Sequence, residues 1–158
     1  MRNPEKIVRA KRSRNYRGRS VPGSYLYARK YPAIYNTSIR CIHTPGHTNG
    51  VMSFILNLSD GTVAGMHGGV GCNSMHSDFL KRYGLSFECR RLFKKSLYRL
   101  SQEKVDLVLG NHPEQNNTIE KMRKIFNGED SILNVNEWSA FLSITEKSIN
   151  KLIESDPE

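Results

Sequence analysis

The sequence predicts a mixed α/β domain, a small sheet covered by helices, and three observations carry that prediction. Strands are read at about residues 37 to 43, 51 to 57 and 62 to 66, the first from the alternation of Ser38-Ile39-Arg40-Cys41-Ile42, which is that of a half-buried strand. Later stretches instead repeat their apolar residues every three to four positions, as helices packed on one face do. Composition is that of one globular unit: 158 residues, 37% hydrophobic and 25% charged.

Taken in order, residues 1–31 form a basic arm expected to be flexible, and residues 32–155 form the domain. Residues 1 to 30 hold ten Lys or Arg against one acid, Glu5, so the formal net charge of +9 belongs to the arm. Arginines interleaved with Tyr16 suit a phosphate backbone, and nucleic-acid binding through residues 1–30 is one expectation. A solvated tail is the favoured one, because no folded nucleic-acid module accompanies the arm. Tyr25-Leu26-Tyr27 and Tyr31-Pro32-Ala33-Ile34-Tyr35 read equally as a strand or a packing linker. Asp60-Gly61 closes a hairpin between the second and third strands. Gly65 to Gly71 is too poor in side chains for a core and suits close backbone approach to a ligand.

Helices follow. Ser77 to Tyr83 ends at Gly84, and Phe87 to Glu103 carries Leu92, Phe93, Leu97 and Leu100 on one face. A strand, Val105 to Leu109, leads to His112. Asn116-Asn117-Thr118 caps a helix with Ile119, Met122 and Ile125, and a last helix aligns Trp138, Phe141, Leu142, Thr145, Ile149, Leu152 and Ile153 on one stripe. Cys41, Cys72 and Cys89 are odd in number and lack Cys-x-x-Cys spacing, which implies a reducing, cytoplasmic setting. No apolar run is long enough to span a bilayer, so a membrane partner is not expected.

The chemistry concentrates in His43-Thr44-Pro45-Gly46-His47-Thr48-Asn49-Gly50, a Pro-Gly loop between two strands that aims a histidine. With Thr62-Val63-Ala64-Gly65-Met66-His67-Gly68-Gly69 and Val105-Asp106-Leu107-Val108-Leu109-Gly110-Asn111-His112, it resembles the metallo-β-lactamase superfamily, whose Thr-Pro-Gly-His-Thr-x-Gly loop and late strand-end histidine ligate metal. The resemblance covers about Pro32 to Leu152 but only the second half of such a protein.

It implies an αββα sandwich, here partial, with His47 and His112 as metal ligands and one or two zinc ions as cofactor. The implied reaction is attack of a metal-bound hydroxide on an ester, amide or thioester of a small-molecule substrate. Met66 stands where many members have a bridging aspartate. His67 is a substitute ligand or a catalytic acid, and His43 a weaker ligand candidate whose expected role is to brace the loop. His76 is expected at the surface, and Asp106 in a structural role.

The family's earlier His-x-His-x-Asp-His signature is absent. A catalytic zinc wants three protein ligands, and His47 with His112 fall short. Two readings therefore stand: a metallo-hydrolase, whole or assembled with another chain, or a truncated, non-catalytic half-domain acting as a binding or assembly module. Half a sandwich would leave the inner face of its sheet uncovered, which predicts a homodimer or association with a complementary N-terminal half.

Overall fold

The structure is a computed structural model and describes residues 13–14, 20–21, 37–128 and 132–158. The expectations for the aromatic segment at 25 to 35 and for most of the basic arm lie outside these residues. Within the arm, Ser13–Arg14 pairs antiparallel with Ser20–Val21.

Four strands make the main sheet: β1 (Ser38–His43), β2 (Met52–Asn57), β3 (Val63–Met66) and β4 (Leu107–Leu109). Their order is β1-β2-β3-β4, with the first three antiparallel and β4 parallel to β3. The hairpin between β2 and β3 turns at Asp60-Gly61. Asp60 Oδ1 accepts the Thr62 N–H at 2.9 Å, and Gly61 takes φ +88°, which disfavours side-chain-bearing residues.

The return to a parallel β4 uses α1 (Ser77–Tyr83) and α2 (Glu88–Ser101); α3 (Thr118–Phe126) and α4 (Glu137–Ser155) follow. Gly84 ends α1 in the left-handed region, φ +59°. Among the described residues no helix is long and apolar enough to cross a membrane.

Register decides which sheet face is covered. Ile42 pairs with Ser53, Ile55 with Gly65 and Gly65 with Val108, so these residues share a face. That face packs against Phe93, Leu97 and Leu100 of α2 and Trp138, Leu142, Ile149 and Leu152 of α4. Each such side chain contributes about 1.5–3 kcal/mol on burial. Trp138 also donates its indole N–H to the Leu100 carbonyl at 2.9 Å, satisfying its polar atom inside the core.

Several expectations need correction in detail. β4 is three residues, because Asp106 leaves the ladder to cap it: its N–H donates to the Val63 carbonyl at 2.8 Å and its Oδ2 accepts the Val63 N–H at 2.9 Å. Asn116 and Asn117 make no side-chain cap on α3; both adopt positive φ, 57° and 54°. Asn116 instead donates to the Val108 carbonyl, which fastens the segment after His112 to β4. The apolar side chains of α3, Ile119, Met122, Ile125 and Phe126, are exposed.

One buried charge escaped the sequence. Arg90, 3% exposed, sits on the buried side of α2, stacks over the Phe87 ring at 4.8 Å and donates to the Met75 carbonyl (2.9 Å) and the Asp156 carbonyl (2.6 Å). Its second arm meets Asp156 Oδ2 at 3.1 Å. The helix pattern hid it, since a charged residue among Leu92, Phe93 and Leu97 reads as surface. Truncating Arg90 strands both carbonyls. Arg90→Ala is expected to lower stability by about 2 kcal/mol in urea unfolding, and Arg90→Lys to restore little, because an ammonium lacks the guanidinium fork. A variant as stable as wild type would contradict this.

Candidate metal centre

The His-Thr-Pro-Gly-His loop is clamped at several points, each by local chemistry. Thr44 and Ser53, both fully buried, share a hydroxyl hydrogen bond of 2.7 Å, and the Thr44 N–H donates to the Val51 carbonyl at 2.9 Å. Ser53 Oγ also accepts the Gly68 N–H at 3.2 Å, which ties this loop to the glycine-rich one. From α2, Ser96 donates to the Pro45 carbonyl at 2.8 Å. Gly46 lies so close to the same helix that a Cβ would fall 2.5 Å from Phe93 Cα, with φ +148° besides. His43 Nε2 donates to the Asn49 carbonyl at 2.7 Å, joining the two ends of the loop.

His47 is thereby seated against the glycine-rich segment. A Cβ on Gly69 would meet the His47 ring at 2.9 Å and one on Gly71 at 3.7 Å, so small residues there make room for the imidazole. The ring's Nδ1–H donates to the Gly71 carbonyl at 2.6 Å. Ser74 Oγ lies 3.2 Å from the same Nδ1 and spends its own proton on the His47 carbonyl at 2.6 Å. A neutral ring protonated at Nδ1 keeps its lone pair at Nε2, the form a metal ligand requires.

His67 is buried, 1% exposed, with its ring 5.8 Å from that of Phe93. Its Nδ1 accepts the Gly69 N–H at 3.1 Å, and its Nε2 is buried without a partner. Burial, with a smaller contribution from His47, pushes its pKa down to about 4. Asn111, just before His112, donates its amide to the His67 carbonyl at 2.6 Å, while its Oδ1 is likewise buried and unpartnered. His112 is exposed. His76 is exposed too, 3.5 Å from Asp156. Burial raises the Cys72 thiol, which works against a thiolate ligand there.

The donor set fits zinc in part. His47 presents an oriented imidazole, yet among the described residues no three His, Cys, Asp or Glu side chains group as a metal site. All five histidines and all three cysteines lie within the described residues. Of the carboxylates only Glu5, Glu129 and Asp130 lie outside them. Thr44, Ser53, Ser74 and Asn111, which position the histidines, were not singled out from the sequence. Their only signal was polarity at strand ends and beside glycines.

The architecture is that of the metallo-β-lactamases. A metallo-β-lactamase motif mutant from Cronobacter sakazakii matches with TM-score 0.64 at 20% identity, over 75% of this chain and 46% of that one. A mutant of FEZ-1 from Legionella gormanii matches with TM-score 0.65 at 17% identity, over 76% and 46%. BJP-1, a subclass B3 enzyme of Bradyrhizobium japonicum, matches with TM-score 0.59 at 15% identity, over 76% and 46%. At such identities the likeness establishes the fold: the chain carries part of the metallo-β-lactamase αββα sandwich. It spans just under half the length of those structures. No family model and no curated protein matches the sequence.

Proposed function

We propose that this chain supplies one side of a metallo-hydrolase centre, with His47 Nε2 as a zinc ligand and His112, in the segment that follows β4, as a second ligand. The observation that carries the reading is the Nδ1–H of His47 committed to the Gly71 carbonyl and Ser74 Oγ, which leaves Nε2 free for a cation. The described histidines and cysteines form no three-ligand group, so a complete zinc centre needs ligands beyond this set. One or two zinc ions, once bound, would supply Lewis-acid activation of water for hydrolysis of an ester, amide or thioester in a small molecule. The chain's own part is to orient His47 and to hold the loop rigid through Thr44, Ser53 and Ser96.

Equilibrium dialysis against zinc tests this. His47→Ala is expected to weaken zinc binding at least about tenfold, and His112→Ala to weaken it less, since its ring is solvated in the free chain. Equal zinc binding by wild type and His47→Ala would sink the proposal. Hydrolysis of ester, thioester and β-lactam substrates is then measured with zinc present.

A second reading, a non-catalytic assembly module, is favoured by one feature. Ile39, Leu56, Ala64 and Leu107 share the sheet face opposite to that packed on α2 and α4, alongside Phe54, Met66 and Leu109. An apolar face of this kind suits a second sheet. Sedimentation of the purified chain is expected to show a dimer, and a monomer at micromolar concentration would count against that association. Nucleic-acid binding by residues 1–30 rests on composition alone, as does a cytoplasmic setting on the cysteines.

A further inference from the structure

We infer that His47 and His67 are held in opposite tautomers, so that His47 offers a lone pair at Nε2 whereas His67 offers an N–H there and is a hydrogen-bond donor, not a metal ligand. This deepens the proposed function by assigning His67 a role at the same site, and it rests on that reading only for what the donor would serve. The geometry is set by backbone groups of one short segment. Gly71 presents a carbonyl to His47 Nδ1, which must therefore carry the proton. Gly69 presents an N–H to His67 Nδ1, which must therefore lack it. A neutral imidazole has one proton, so that of His67 sits on Nε2.

That Nε2–H is buried and has no acceptor among the described residues. Leaving such a donor unpaired is costly, so it is retained where a bound species brings the acceptor. A zinc ion cannot serve: ligation through Nε2 would require a lone pair there and would break the Gly69 bond. An oxygen of a bound molecule, a carbonyl or carboxylate oxygen, is the chemistry that fits. The ring is held firmly for that task, with Asn111 gripping its backbone carbonyl at 2.6 Å and Phe93 packed beside it.

Imidazole nitrogen NMR on the metal-free wild-type chain tests the inference directly. The two resonances are assigned with His47→Ala and His67→Asn, the latter keeping an acceptor for Gly69. The expected result is a proton on Nδ1 of His47 and on Nε2 of His67, the latter unchanged when zinc is added. A His67 ring protonated at Nδ1, or one whose Nε2 loses its proton on zinc addition, would overturn it. If no zinc binds, the proposed function fails while the tautomers remain testable in the same spectra. His67→Gln, which retains an N–H donor, is expected to keep zinc affinity within about threefold of wild type, whereas a true ligand would show a loss of tenfold or more. Ser74→Ala is expected to leave the His47 proton on Nδ1, because the Gly71 carbonyl still accepts it.

Discussion

Acidification from neutral pH towards pH 4 removes about 3 kcal/mol of folding stability through a single side chain, His67. Its pKa falls from 6.5 to about 4 in the folded chain, chiefly because burial disfavours the imidazolium. The unfolded chain therefore binds a proton at higher pH than the folded one does. Stability from this group is fully present above pH 6.5 and drains away as the pH falls towards 4, at about 1.4 kcal/mol per pH unit. Carboxylates with depressed pKa, such as Glu103 beside Arg40, also lose their contribution on acidification, but at lower pH. The difference between wild type and His67→Asn isolates the histidine. Denaturant unfolding between pH 7 and pH 4 is expected to show a steep decline in wild type and a shallow one in the variant; parallel curves would mean that His67 is not held neutral by burial.

Gly68→Ala is expected to cost about 3 kcal/mol or more and to abolish cooperative melting. A Cβ at this position would fall 1.9 Å from the Met52 carbonyl oxygen and 2.8 Å from its carbon. Both belong to the backbone of β2, which cannot swing aside without breaking its ladder with β1, where Met52 pairs with His43. The same shift would pull the Gly68 N–H from Ser53 and so loosen the loop that carries His47. Gly69→Ala is the informative control. There the nearest atom, at 2.9 Å, belongs to the His47 side chain, which can rotate, so a loss of about 1 kcal/mol and a displaced imidazole are expected. Thermal melts rank the two; a Gly68→Ala protein melting with wild type would mean that the two loops are not in contact.

How much of this was legible in the sequence depends on the range of the interaction. The strands, the Asp60-Gly61 hairpin and the stripe of Trp138, Leu142, Ile149 and Leu152 are local patterns, and each is found within a residue or two of its expected place. The fold itself was readable because the histidine loop and the strand end before His112 carry distinctive residues. The organisation of the site was less so. Whether a histidine is a ligand or a donor depends on which backbone group faces its Nδ1, and Gly69 and Gly71 present opposite ends of a peptide to two different rings. No periodicity records that. Arg90 and Asn111 were missed for the same reason, since each answers to groups distant in sequence: Asp156 for one, His67 for the other.

The central claim, that His47 Nε2 is built to hold a metal, is tested most directly by an anomalous difference map at the zinc edge from crystals of the chain grown with zinc. A peak about 2.0–2.1 Å from His47 Nε2, with His67 outside the coordination sphere, is the predicted result. Zinc found only at surface histidines such as His76, or nowhere, would contradict it.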